Sequence, residues 1–149
     1  MKKLLTSFAG ALAVLALTHT AATAKPGWSE DFAKASAQAK SEKKMTLIDF
    51  TGSDWCGWCI KLDKEIFATP EFEEYAKKNL VLVEVDFPRS KEQSAELKEQ
   101  NAKLKKEYPV KGFPTIIVLD AEGKKIGQLG YMKGGPAAFI AELEKLKGQ

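Results

Sequence analysis

The chain has 149 residues, 44% of them apolar and 29% charged. That is the size and balance of one soluble domain, and it excludes a disordered chain, a collagen-like chain and a multi-span membrane protein. Lysine plus arginine number 23 against 20 acids, a formal charge of +3, too small to form an electrostatic footprint for nucleic acid.

In chain order, Met1-Lys2-Lys3 is a short basic start, Leu4 to Leu17 an uncharged apolar run, and Ala22-Thr23-Ala24 a small-residue cleavage site. This pattern predicts a secretory signal over residues 1–24, cut after Ala24, and a periplasmic or secreted domain over 25–149. The apolar run is shorter than the roughly 20 residues a membrane span needs, so the domain is expected not to be membrane-embedded after cleavage. His19, the one histidine, falls in the signal, so a mature domain has none. That excludes histidine-ligated zinc and Ser-His-Asp or Cys-His catalysis.

Ser29 is read as the cap of a first helix, with Glu30 and Asp31 in its first turn. Met45 to Thr51 reads as a buried strand, Gly52-Ser53-Asp54 as a loop, and a helix is predicted from about Cys56 to about Phe67. Thr69-Pro70 starts another helix that Lys77, Lys78 and Asn79 close. Leu80 to Asp86 is the second strand, ended by Pro88. Ser90 to Tyr108 reads as a polar helix with a thin apolar stripe at Leu97, Leu104 and Tyr108. Pro114 to Asp120 and Lys124 to Leu129 form a hairpin of strands, and Gly135-Pro136 opens a last helix with Phe139, Ile140, Leu143 and Leu146 on one face. The fold class is therefore α/β, a mixed sheet of four strands, or five, flanked by helices, with the early strands parallel and the last pair antiparallel.

Past the signal the only two cysteines are Cys56 and Cys59, in Trp55-Cys56-Gly57-Trp58-Cys59 between a strand and a helix. On a first helical turn, residues three apart share a face and lie within disulfide reach, about 4.4–6.8 Å between Cα atoms. The pair can therefore close and open with little backbone movement. At the helix N-terminus the free amides and the positive dipole end favour a Cys56 thiolate, the attacking form; Cys59, one turn in, suits the resolving role. Three readings of the pair stand side by side. One is redox catalysis. Another is a structural disulfide, which over so short a loop removes little chain entropy. The third is a two-coordinate Cu(I) site; structural zinc needs more ligands than the chain holds.

These residues resemble the thioredoxin superfamily from Met45 to about Lys147. Three motifs in order carry the resemblance: Trp55-Cys56-Gly57-Trp58-Cys59, Gly112-Phe113-Pro114-Thr115, and Gly130 after the fourth strand. The run from Asp49 to Trp55 is similar to that of secreted bacterial thioredoxin-like proteins. The resemblance implies a thioredoxin fold and a thiol–disulfide oxidoreductase cycling Cys56 and Cys59, with no cofactor and no metal. It implies a cis Pro114 and a substrate groove formed by Trp55, Gly57, Trp58, Phe113, Pro114, Thr115 and Gly130. Phe113 would offer backbone groups to an extended peptide. Asp49 resembles the family's buried proton acceptor for the second cysteine, though it stands seven residues before Cys56, one more than in thioredoxin proper. The family's lysine on the next strand is absent. Glu84 stands near there, either beside Asp49, where a second acid disfavours ionisation, or facing solvent.

Gly57-Trp58 stands where thioredoxin proper has Gly-Pro and disulfide isomerases commonly have Gly-His, so it lacks proline's rigidity and histidine's charge, either of which is able to shift the reduction potential. Trp55 and Trp58 form an apolar rim able to grip unfolded polypeptide, with Trp55 the one expected to pack into the fold. The expected partners are protein disulfides or thiols and a membrane thiol electron donor, and the expected state is a monomer. Related readings are a reductase for cytochrome c maturation and a disulfide oxidant or isomerase. Readings of another class are a Cu(I) carrier and a redox-silent binding module.

Overall fold

The structure, a computed structural model, describes residues 24–148. The predicted signal and His19 lie outside the described residues, apart from Ala24. Eleven elements follow: β1 (Trp28–Ser29), α1 (Phe32–Glu42), β2 (Met45–Thr51), α2 (Gly57–Leu62), a π-helical turn (Asp63–Phe67), α3 (Pro70–Asn79), β3 (Leu80–Asp86), α4 (Ala95–Glu107), β4 (Thr115–Leu119), β5 (Lys125–Leu129) and α5 (Gly135–Lys147). The sheet has five strands in the order β1-β3-β2-β4-β5. β3 runs parallel to β1 and β2; β4 is antiparallel to β2 and β5. This is a thioredoxin fold. No described helix is long and apolar enough to cross a membrane.

β2 lies at the centre, and all seven of its residues are buried. Side chains alternate between the two faces of a strand. Ile48 and Phe50 of β2 join Val81, Val83 and Val85 of β3 against Ala35 and Ala39 of α1 and Leu104 of α4. Met45 and Leu47 join Leu80 on the opposite face, against Leu62, Phe72, Phe139 and Leu143. Continuing that second parity puts Asp49 on the face covered by the cysteine-bearing helix. The β2–β3 register pairs Asp49 with Glu84, so both acids project to that same face.

Two expected helix starts are corrected. The cap of α1 is Asp31, whose carboxylate accepts from the Lys34 amide at 2.9 Å, not Ser29. Ser29 belongs to a two-residue strand the sequence reading missed: Trp28 and Ser29 pair with Leu82 and Val83 on the edge of β3. The fourth helix begins at Ala95 with Ser94 as its cap, not at Ser90. The Ser90 amide donates instead to Asp54 at 2.6 Å, so the segment before α4 braces the active-site loop. The helix predicted to run to Phe67 does so, but its last five residues form the π-helical turn.

Candidate active site

Cys56 caps the N-terminus of α2, and its Sγ accepts the Cys59 amide at 3.3 Å. The two cysteines form a disulfide with Cα atoms 5.2 Å apart, within the reach expected of the spacing. Both are buried, Cys59 (4% exposed) more than Cys56 (8%). The same amide that caps the helix is placed to stabilise a Cys56 thiolate once the disulfide opens.

The loop before Cys56 is tied down at several points. The Trp55 and Cys56 amides both donate to the Gly52 carbonyl, at 3.2 and 2.8 Å. The Ser53 amide donates to Asp86 at 2.8 Å, and Asp54 accepts from the Arg89 and Ser90 amides. Those backbone donors hold the Asp54 carboxyl below its ordinary pKa. Gly52 is required by close approach: a Cβ there would sit 2.5 Å from the Trp55 ring.

Trp55 is 37% exposed, less than Trp58, and is tied to its neighbours. Its indole Nε1 donates to the Phe87 carbonyl at 2.8 Å, Arg89 lies 4.1 Å from its ring centroid, and Phe113 meets it edge-on at 6.0 Å. Trp58 is 58% exposed, touched by Tyr131 at 5.1 Å between centroids and by the Lys61 ammonium. Gly57 has open space where a Cβ would be. On the second loop the Phe113–Pro114 peptide is cis, Phe113 stacks on Phe87, and the Thr115 hydroxyl donates to the Gly112 carbonyl at 2.7 Å. A Cβ on Gly130 would meet the Pro114 carbonyl at 3.9 Å, so β5 ends beside that loop. Thus Trp55 meets Phe113, and Gly130 lies beside Pro114, while Trp58 meets Tyr131, the residue after Gly130.

Beneath α2 the second face of the sheet carries charge. Asp49 is 3% exposed and its Oδ1 has no hydrogen-bond partner. Burial drives its carboxyl up to about 7; Lys25 opposes the rise, and Glu84, Asp63 and Asp86 add to it. Glu84 is 7% exposed and lies beside Asp49, so of its two readings the solvent-facing one is excluded. The cation absent from the next strand comes from elsewhere. Lys25 Nζ lies 2.7 Å from Asp63 Oδ1 and 3.2 Å from Glu84 Oε1. Sequence reading missed Lys25, Asp63, Tyr131 and Arg89. Lys25-Pro26-Gly27-Trp28 did hold a signal: proline then glycine is the signature of a type II turn. The Trp28 amide closes that turn on the Lys25 carbonyl at 2.9 Å, with Gly27 at φ +82°. Among the described residues no group of three or more His, Cys, Asp or Glu is arranged to hold a metal ion.

A family model for the thioredoxin-like domain matches residues 32–147. The chain is 40% identical over 127 residues to the disulfide bond reductase DsbH of Chlamydia pneumoniae, covering 85% of this chain and 76% of that one. A solved structure of a DsbH oxidoreductase superposes with a TM-score of 0.77 at 38% identity, covering 91% of this chain and 94% of that one. The thiol:disulfide interchange protein DsbD of Klebsiella pneumoniae is 34% identical over 137 residues, 90% of this chain but 21% of that longer protein. With its CxxC disulfide seated at the helix mouth of this fold, the chain belongs to the thioredoxin-like domain family, as a thiol–disulfide oxidoreductase.

Proposed function

We propose that this protein is an extracytoplasmic reductase of protein disulfides that works as a monomer. The observation that carries the reading is the Cys56–Cys59 pair. Its outer sulfur is capped by a helix amide, its inner one lies deeper, and an exposed indole stands beside it. The relative named as a disulfide bond reductase supports the direction of electron flow. The signal-like sequence before Lys25 supports export, with cleavage after Ala24.

In the reduced protein the Cys56 thiolate attacks one sulfur of the substrate disulfide. That bond breaks, a Cys56–substrate disulfide forms, and the other substrate sulfur leaves as a thiolate and takes a proton. Cys59 then gives its proton to Asp49 and attacks Cys56 Sγ. The mixed disulfide breaks, and the second substrate sulfur leaves as a thiolate that takes up the proton held by Asp49. Two electrons have passed to the substrate, and the protein is left with the Cys56–Cys59 disulfide. A thiol donor at the membrane must then return two electrons and two protons; the likeness to a thiol:disulfide interchange protein supports exchange with a partner dithiol. Trp55, Gly57, Trp58, Phe113, Pro114, Thr115 and Gly130 form the surface on which an extended substrate segment lies. Phe113 offers backbone groups, and Trp58 an apolar contact.

The test is the reduction potential of Cys56–Cys59 in thiol buffers, with an insulin reduction assay alongside. A potential near about −270 mV with turnover supports the reductase; a value near −120 to −180 mV overturns it in favour of an oxidant or isomerase. N-terminal sequencing of the exported protein tests the cleavage site: a start at Lys25 supports it.

A further inference from the structure

Three acids from three elements converge beneath α2: Asp49 from β2, Glu84 from β3 and Asp63 from the turn that continues α2. Asp86 follows on β3, but Ser53 holds its carboxylate through both amide and hydroxyl. Glu30 stands further out along the β1 segment, its own carboxyl raised by burial and by Glu84 and Asp86. Among the described residues, the one cation in ion-pair contact with these three acids is Lys25. Its ammonium bridges Glu84 and Asp63 and lies 4.3 Å from the Trp28 ring centroid. That position is built: the Pro26-Gly27 turn sets it, and Trp28 is held by pairing with Leu82 and by the Phe67 ring at 5.2 Å. Burial works against the ammonium's charge, yet Glu84, Asp49 and Asp63 outweigh it and raise its pKa.

We propose that Lys25 is a positioning residue for proton exchange at Cys59: it partners Glu84 and Asp63 and leaves Asp49 as the cluster's unpartnered acid. The proposal rests on the oxidoreductase reading above, in which Asp49 takes the Cys59 proton. The physical reason is a charge balance. With Lys25 in place, an ionised Asp49 adds one negative charge to a site already holding one cation. Without its side-chain ammonium, the same ionisation puts a third negative charge beside Glu84 and Asp63 with their bridging cation gone, which favours the protonated acid. A protonated Asp49 cannot accept from Cys59. β3 carries an acid at the position paired with Asp49, and the cation reaches the cluster from the N-terminal segment.

The experiment compares the purified protein with Lys25→Met, Lys25→Arg and Glu84→Gln. Lys25→Met keeps a flexible apolar stem against Trp28 and removes the charge. Two readouts are taken: the ¹³C NMR titration of the Asp49 carboxyl in the reduced protein, and the pH profile of insulin reduction. Lys25→Met is expected to move the Asp49 midpoint up by about one pH unit, which cuts the rate at pH 7 about fivefold, as the ionised fraction falls from about a half to about a tenth. Lys25→Arg restores both. Glu84→Gln moves the midpoint down, and reads the same coupling if Lys25→Met does not fold. A midpoint unmoved in Lys25→Met and Glu84→Gln overturns the proposal, as does equal impairment by Met and Arg. An unmoved midpoint in an active protein leaves the reductase reading intact. A moved midpoint in a protein inactive at every pH overturns that reading and retains the coupling.

Discussion

On the face covered by α1 and α4, β2 and β3 present Ile48, Phe50, Val81, Val83 and Val85, and the helices answer with Ala35, Ala39 and Leu104. On the opposite face the same strands present Leu47 and Leu80, then switch to Asp49 and Glu84 as they run toward the cysteines. The strands, their register and their depth are shared; only the parity differs. Both faces hold the sheet through apolar cores, but the C-terminal end of one of them also tolerates a costly buried cluster of charge. Buried ion pairs offset their desolvation poorly, so such a cluster is weak evidence for stability. Its place beneath α2 fits a role in moving protons.

Substitutions on the two faces separate these roles. The largest effect is expected at the disulfide: Cys56→Ser lowers insulin reduction by more than about 10³-fold, and Cys59→Ser accumulates a mixed disulfide visible on a non-reducing gel. Wild-type turnover by Cys56→Ser would break the assignment of roles. Next, Phe50→Ala on the apolar face removes about 3–5 kcal/mol of stability in denaturant unfolding. It is expected to leave the pH profile of the rate unmoved; a shifted profile would erase the distinction between the faces.

Asp49→Asn acts the other way, on pH dependence. The folded carboxyl titrates at about 7 against an ordinary 3.8, so between those values the folded state holds a proton that the unfolded state has lost. Its contribution is present at low pH, falls as pH rises through that window and is gone above about 7. By linkage the swing is on the order of 4 kcal/mol over the whole window, about 3 kcal/mol of it between pH 5 and pH 8, and Asp49→Asn removes that difference from urea unfolding measured at those two pH values. Smaller still is Gly52→Ala, whose added methyl meets the Trp55 ring and costs about 1–3 kcal/mol. Smallest is Trp58→Ala. The exposed indole supports little of the fold, so stability changes by about 0.5 kcal/mol or less. The KM for a protein substrate is expected to rise, while the rate with a small disulfide stays unchanged. Equal effects on both substrates would place Trp58 at the chemistry rather than on the docking surface.

The sequence by itself determined the parts whose cause is local. β2 and β3 have the bounds their β-branched runs predict, and Thr69 with Pro70 starts α3 where cap chemistry requires. The Cys56–Cys59 spacing alone puts a disulfide within reach at a helix mouth. Tertiary structure decided what depends on distant chain. Ser90 looked like part of a helix until Asp54, 36 residues away, captured its amide. Trp28 and Ser29 became a strand only because β3 offered a free edge, for two residues carry no periodicity of their own. The burial of Asp49 and the side taken by Glu84 follow from register, and the cation that pairs with Glu84 arrives from a turn 24 residues before Asp49. A carboxylate's pKa is set by the charges and solvent around it in three dimensions, and none of those neighbours is adjacent in the chain.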